Sequence, residues 1–211
     1  MKDYDTYLFD WDGTLCKSIE IWVPTLRQMF ADRYDIALTE LELGSCLGDW
    51  EFIFSLGVPE SERTAFKDTA ESTAYSKYVT TNLYDDAATT LKDLKRRGKN
   101  VALVTASKRV AITEALTHHE LTDYFDLVVT ADDVKVHKPD PQGVLLALDY
   151  FGTSKQRAVM LGDTDKDLGA ARNAGIDSIL FYPESHQPFY DREQLRSFGP
   201  VQILSQWAEL A

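Results

Sequence analysis

The sequence predicts an α/β protein, a doubly wound, Rossmann-like parallel sheet carrying an inserted α-helical subdomain. Three observations predict it. Short, almost wholly apolar runs recur at "YLFD" (7–10), "NVALVT" (100–105), "FDLVVT" (125–130), "AVMLGD" (158–163) and "DSILFY" (177–182). Such runs suit parallel strands covered on both faces. Helical patterns alternate with the later runs, as a doubly wound sheet requires. The stretch between the first and second runs holds no strand pattern and is too long for a structureless loop.

The first run stops at "DGT", a turn signal. Residues 16–82 then read as helical. Leu26, Met29, Phe30 and Arg33 follow a 3.6-residue period, "TELE" (39–42) has the form of a capping box, and 59–79 is polar and helix-compatible. Pro24 falls inside the first pattern, so that helix is expected to kink or to start late. Beyond it, 87–97 sets Leu91 and Leu94 on one face and meets Gly98 as a stop. The segment 110–116 is a shorter candidate. Pro141 opens a pattern over 141–150 with Val144, Leu145 and Leu148 at helical spacing, and the Ala-rich 167–174 ends at Gly175. The expected division is a core of 1–15 and 83–211 around a helical subdomain of 16–82.

The net charge is −12. That argues against a nucleic-acid surface, which needs clustered Lys and Arg. It would also repel an anionic substrate, so attraction has to be local. No run approaches the ~18 apolar residues of a membrane span, and "MKDYDTYLFD" lacks a signal-peptide core; the expected location is the cytoplasm. Cys16 and Cys46 make neither a disulfide framework nor a CxxC pair, so both read as reduced thiols and zinc is not expected.

The strand ends carry the chemistry. Asp10 ends the first run and Thr105 the second; Lys138 follows the third in "HKPDP"; "GDTDKD" after the fourth supplies Asp163 and Asp167. Ligands of open parallel sheets bind outside the carboxyl ends of the strands, which would gather these residues on one rim. Asp10, Asp12, Asp163 and Asp167 together would repel strongly unless a hard divalent cation joined them. Oxygen-only donors suit Mg²⁺, and the absence of His or Cys from the set disfavours zinc, copper and haem. Thr105, Lys138 and the backbone N–H groups near Ala106 and Ser107 form a candidate phosphate site, with Gly13 and Thr14 of the turn counted in it. The two-residue step projects Asp10 and Asp12 to one side and Trp11 to the other; Gly13 permits the tight turn.

In this order "FDWDGTL", Thr105 in "LVTAS", Lys138 in "HKPDP" and "GDTDKD" resemble the four motifs of the haloacid dehalogenase-like phosphatases. The helical insertion resembles that family's C1-type cap, so the likeness spans essentially the whole chain. The resemblance implies a Mg²⁺-dependent phosphatase of the phosphoglycolate phosphatase or β-phosphoglucomutase type, acting on a small phosphorylated metabolite. It makes Asp10 the nucleophile that forms an aspartyl-phosphate and Asp12 the general acid and then base. Thr105 and Lys138 would stabilise the phosphoryl oxygens. Asp10, the Asp12 backbone carbonyl and Asp163 would hold Mg²⁺, and Asp167 would support Lys138 or a metal-bound water.

Three departures stand out. Lys17 precedes Ser18 where relatives with this cap often have an acidic residue, Trp11 is bulkier than the usual aliphatic residue, and "TASKR" (105–109) resembles β-phosphoglucomutases. A phosphosugar mutase is therefore the alternative enzyme reading, a receiver-like phospho-accepting domain the non-enzyme one. A metal-independent dehalogenase fits less well, since it would use neither the second aspartate nor Mg²⁺. The expected partner is a small metabolite, with neither nucleic acid nor membrane, and the expected state a monomer or weak homodimer. His118, His119, His137 and His186 show no ligand spacing and receive no role. Lys108 and Arg109 read as surface charges at a helix start, and Trp50, Phe52 and Phe54 as packing. Gly48 and Asp49 are placed on a loop facing the rim.

Overall fold

A computed structural model describes residues 2–210, the Ser76 side chain excepted. Six strands run β1 Thr6–Phe9, β2 Asn100–Val104, β3 Leu127–Val129, β4 Ala158–Gly162, β5 Asp177–Phe181 and β6 Gln202–Leu204. They form one sheet in the order β3-β2-β1-β4-β5-β6, with every neighbouring pair parallel. β1 is thus central, and Phe9 is level with Leu103 on one side and Leu161 on the other. The chain reverses its winding at β1 and β4, the place where doubly wound sheets open a crevice. β6 was not legible as a strand: "QIL" is three residues long, and only two of its neighbours' apolar features remain in it.

Alternation across β1, β2 and β4 divides the core. Tyr7, Phe9, Leu103 and Leu161 join one buried cluster with α5 (Ala87–Arg96), α6 (Arg109–His118) and the C-terminal turn Trp207–Leu210. Leu8, Ala102, Val104 and Met160 join another with α7 (Gln142–Phe151) and α8 (Asp165–Ala174). α6 and α8 each begin before their apolar patterns do. For α8 the reason is a capping box: Thr164 is the N-cap and Asp167 bonds back to it.

Between β1 and α5 lie α1 (Ile19–Tyr34), α2 (Glu40–Cys46), α3 (Trp50–Ser55) and α4 (Arg63–Tyr78). They bury their own cluster, including Leu26, Phe30, Leu43, Ile53 and Phe66, with Trp50, Phe52 and Phe54 packed against it. Thr39 and Glu42 make the expected capping box on α2. α1 starts at Ile19 and carries Pro24 inside it, so it does not start late. The insert leaves and rejoins the sheet through paired chain: Lys17 N–H donates to Asn82 O (2.9 Å), and Tyr84 N–H to Leu15 O (2.9 Å). Lys17 is spent on this junction, 3.1 Å from Asp85. Among the described residues no helix is long and apolar enough to cross a membrane.

Candidate active site

The strand ends meet as the motifs require. Asp10 follows β1 and its N–H donates to Leu161 O of β4 (2.9 Å); Thr105 follows β2 and donates to Val129 O of β3 (2.9 Å). Alternation from Leu8 turns Asp10 toward the α7 and α8 side, while Trp11 enters the opposite cluster fully buried. Asp10, Asp163 and Asp167 are 5%, 1% and 2% exposed, so their charges face one another with little water between.

Lys138 holds them apart. Its Nζ donates to Asp10 Oδ1 (2.6 Å), Asp167 Oδ1 (2.6 Å) and Val104 O (3.0 Å), which uses all three of its protons. Burial pulls the Lys138 pKa down, but the two carboxylates outweigh burial and raise it. Burial pushes the Asp10 carboxyl up to about 7, with Lys138 opposing. Asp163 is raised well above the usual carboxylate range by burial first and then by Asp167 and Asp10.

The turn after Asp10 is built for close approach. Gly13 has φ +73°, and a Cβ on it would lie 2.2 Å from Asp163 Oδ2. Gly13 N–H donates to Cys16 O and Thr14 N–H to Trp11 O, while the Thr14 hydroxyl donates to Asp163 Oδ1 (3.0 Å). The N–H groups of Gly13 and Thr14 are thus engaged within the turn, and the Thr14 hydroxyl with Asp163. Trp207 Nε1–H, from the C-terminal turn, donates to Thr14 O (3.2 Å) and pins the turn from behind.

Asp12 lies apart from the other three carboxylates. Its Oδ2 accepts from Ser107 Oγ (2.6 Å) and from the Tyr78 hydroxyl at the end of α4 (2.9 Å). Loss of hydration raises its pKa, while hydrogen bonds from Ser107, Ser18 and Tyr78 pull the other way. Ser107 thus serves Asp12, and its N–H donates to Thr105 Oγ1 (3.1 Å), so of the expected phosphate set the Thr105 hydroxyl proton and Lys138 are the groups best placed. Lys108 reaches across to Glu71 on α4 (3.0 Å), and Arg109 pairs with Asp133, so neither points a free charge into the site.

A divalent cation fits. One oxygen each from Asp10, Asp163 and Asp167 lies within 4.8 Å of the others. Asp163 Oδ2 is buried without a hydrogen-bond partner, which is costly unless something positive faces it. Asp167 is the weaker candidate, because Lys138 takes Oδ1 and Thr164 N–H and Oγ1 take Oδ2. The Asp12 carboxylate is outside this set, leaving only its backbone carbonyl for that role.

Four residues at the site escaped the sequence reading. Tyr78, Tyr84 and His186 sit in no motif, Lys166 lies inside "GDTDKD" without having been given a role, and only the fold shows what they touch. Lys166 Nζ donates to Leu47 O (3.0 Å) and stands 3.9 Å from Asp49, so the loop of Gly48 and Asp49 does reach the rim. His186 is fully buried, and burial lowers its pKa to about 3.

The haloacid dehalogenase-like hydrolase family matches residues 7–181. Pyrophosphatase PpaX of Bacillus mycoides (strain KBAB4) is 25% identical over 209 residues, covering 93% of this chain and 96% of that protein. Among solved structures, the haloacid dehalogenase-like family protein SP0104 of Streptococcus pneumoniae superposes with TM-score 0.82 at 18% identity, covering 100% of this chain and 98% of that one. CbbY of Rhodobacter sphaeroides, solved with phosphate, gives TM-score 0.78 at 23% identity, covering 99% and 96%. With its sheet order, its strand-end residues and a family match over most of its length, the chain belongs to the haloacid dehalogenase-like hydrolases.

Proposed function

We propose that the protein is a Mg²⁺-dependent phosphatase of small phosphorylated metabolites, working through an aspartyl-phosphate on Asp10, with residues 16–82 acting as its cap. The observation that carries the reading is the division of labour between the aspartates: Asp10 is bonded to Lys138, while Asp12 is held separately by Ser107 and Tyr78.

In the first half-reaction an Asp10 carboxylate oxygen attacks phosphorus, and the bond to the leaving oxygen breaks as that oxygen takes a proton from Asp12. In the second, Asp12 removes a proton from water, whose oxygen displaces Asp10 from phosphorus and releases phosphate. A raised pKa suits Asp12 to give and retake a proton near neutrality. Lys138 exchanges part of its contact with Asp10 and Val104 for phosphoryl oxygens, and the Thr105 hydroxyl donates to another. Asp10, Asp163 and the Asp12 carbonyl would hold Mg²⁺, which when bound supplies charge neutralisation for the attack of an anion on an anion. The relatives named pyrophosphatase PpaX place pyrophosphate first among the substrates to test.

Purified protein is expected to release phosphate stoichiometrically from an aryl phosphate with Mg²⁺ and to stop with EDTA. Asp10→Asn is expected to lose turnover while melting cooperatively. Wild-type turnover in Asp10→Asn would sink the mechanism; isomerised sugar phosphate without phosphate release would mark a mutase.

A further inference from the structure

His186 belongs to no motif, yet its ring is fully buried in the loop after β5. Tyr84, Phe181, Tyr182 and Tyr190 surround it edge-on, at interplanar angles of 77–88°. The carbonyl of His186 accepts from the N–H groups of Phe189 and Tyr190. The far end of the loop is pinned by α2, where a Cβ on Gly44 would lie 1.9 Å from Phe189 O. Both the ring plane and its backbone are therefore fixed, and so are the directions of its two nitrogens.

Nε2 lies 2.7 Å from the Tyr84 hydroxyl. Nδ1 has no partner and points toward Asp163 Oδ2, 3.9 Å away, which has none either. Ionised, as a cation ligand has to be, the Asp163 carboxylate can only accept, so a lone pair on Nδ1 would repel it. The tautomer that suits both ends carries its proton on Nδ1 and accepts the Tyr84 proton at Nε2.

We propose that His186 is a positioning residue for Asp163: its Nδ1–H closes on Oδ2 while the Thr14 hydroxyl holds Oδ1, and together they orient the carboxylate toward the cation. The proposal rests on the reading of Asp163 as a metal ligand. The 3.9 Å gap is about 1 Å beyond a hydrogen bond, and rotation of the Asp163 carboxylate group closes it. Ligating carboxylates commonly depend on such partners, whose loss weakens metal binding roughly 10- to 100-fold. Tyr190, whose hydroxyl pKa is raised by burial, then by the Asp163 charge and by hydrogen bonding to Asp163, is the competing donor to this carboxylate.

Asn and Gln separate the two nitrogens. His186→Asn can place an N–H where Nδ1 was; His186→Gln places its amide near the Nε2 position and leaves Asp163 without a donor. Mg²⁺ titrated calorimetrically into the full chain is expected to bind His186→Asn within about threefold of wild type and His186→Gln tenfold or more weakly. Melting temperatures are measured alongside, because a packing role alone would lower both variants' affinity together with their stability. Tyr190→Phe is expected to bind Mg²⁺ within about threefold of wild type. On the Mg²⁺-loaded protein, ¹⁵N NMR of the ring is expected to find the proton on Nδ1. Wild-type affinity in His186→Gln, equal losses in both variants, or a proton found on Nε2 would overturn the proposal. Absence of Mg²⁺ binding by wild type would instead sink the metal reading, and the proposal with it.

Discussion

Tyr78, at the end of the last inserted helix, donates its hydroxyl to Asp12 Oδ2 at 2.9 Å, so the helical insert has a hand on the group assigned proton transfer. The contact crosses from α4 to the turn after β1 and is shared with Ser107. Tyr78→Phe removes the donor and keeps the ring. A hydrogen bond to a charged group contributes about 1.5–3 kcal/mol, so kcat is expected to fall roughly tenfold or more with little change in melting temperature. The lost bond had favoured ionised Asp12, so the Asp12 limb of the pH–rate profile is expected to move to higher pH. An unmoved profile with unchanged kcat would refute the coupling.

Gly13→Ala tests the close approach. A side chain at φ +73° costs roughly 1–2 kcal/mol, and its Cβ would collide with Asp163 Oδ2. Melting temperature is expected to fall by several degrees and Mg²⁺ affinity to drop with it. Wild-type values of both would show that the turn has room that the geometry denies.

The metal-free protein should prefer mild acid. Asp10 is pushed up to about 7 and Asp163 is raised further by burial, against an unfolded value near 4. Each binds more protons folded than unfolded in the window between, so stability is greatest below it and falls as pH rises through about 7. In EDTA the melting temperature is expected to be higher at pH 5.5 than at pH 7.5, and Mg²⁺ at pH 7.5 to recover the difference. Asp163→Asn should melt higher than wild type in EDTA at pH 7.5 and ignore Mg²⁺. A metal-free melting temperature that climbs over this range would contradict the assignment.

Lys166 reads as a latch, because it joins the start of α8 to Leu47 O and Asp49 of the insert. Partly exposed pairs of this kind contribute about 0–1 kcal/mol to stability. Lys166→Ala is therefore expected to change the melting temperature by no more than about 3 °C while raising KM severalfold. An unchanged KM would leave the loop of Gly48 and Asp49 without a hold on substrate.

The rim was legible because its residues end strands, and strand ends are marked by a change from apolar runs to polar turns. Asp10, Thr105 and Asp163 are cases of that kind, and Lys138 follows close behind one. The polar groups that hold those residues were not legible. Tyr78 and Lys166 look like ordinary helix residues until the insert folds over the sheet. His186 shows no ligand spacing because it comes near Asp163 only through the fold, on the loop after β5, the strand beside the one that Asp163 follows. The bonds of Gly13 and Thr14 were not legible for a related reason: a motif names the residues of a turn but not which way its N–H groups point. β6 was missed because three residues beside a completed strand need no pattern of their own.

The central place of β1 has a further consequence for how the protein is made. Thr6 pairs with Asn100 on one side and Ala158 on the other, so β1 leaves the ribosome before either neighbour and waits for both. The inserted helices, with their separate apolar cluster, can collapse during that wait. Asp10 is thus synthesised well before Lys138, Asp163 and Asp167, its partners at the rim. A chain cut short after β3 would carry Asp10 on an unfinished sheet, without Lys138, Asp163 and Asp167. The rim is therefore complete only once α8 has been made, and β1 is the segment most in need of protection from neighbouring chains until then.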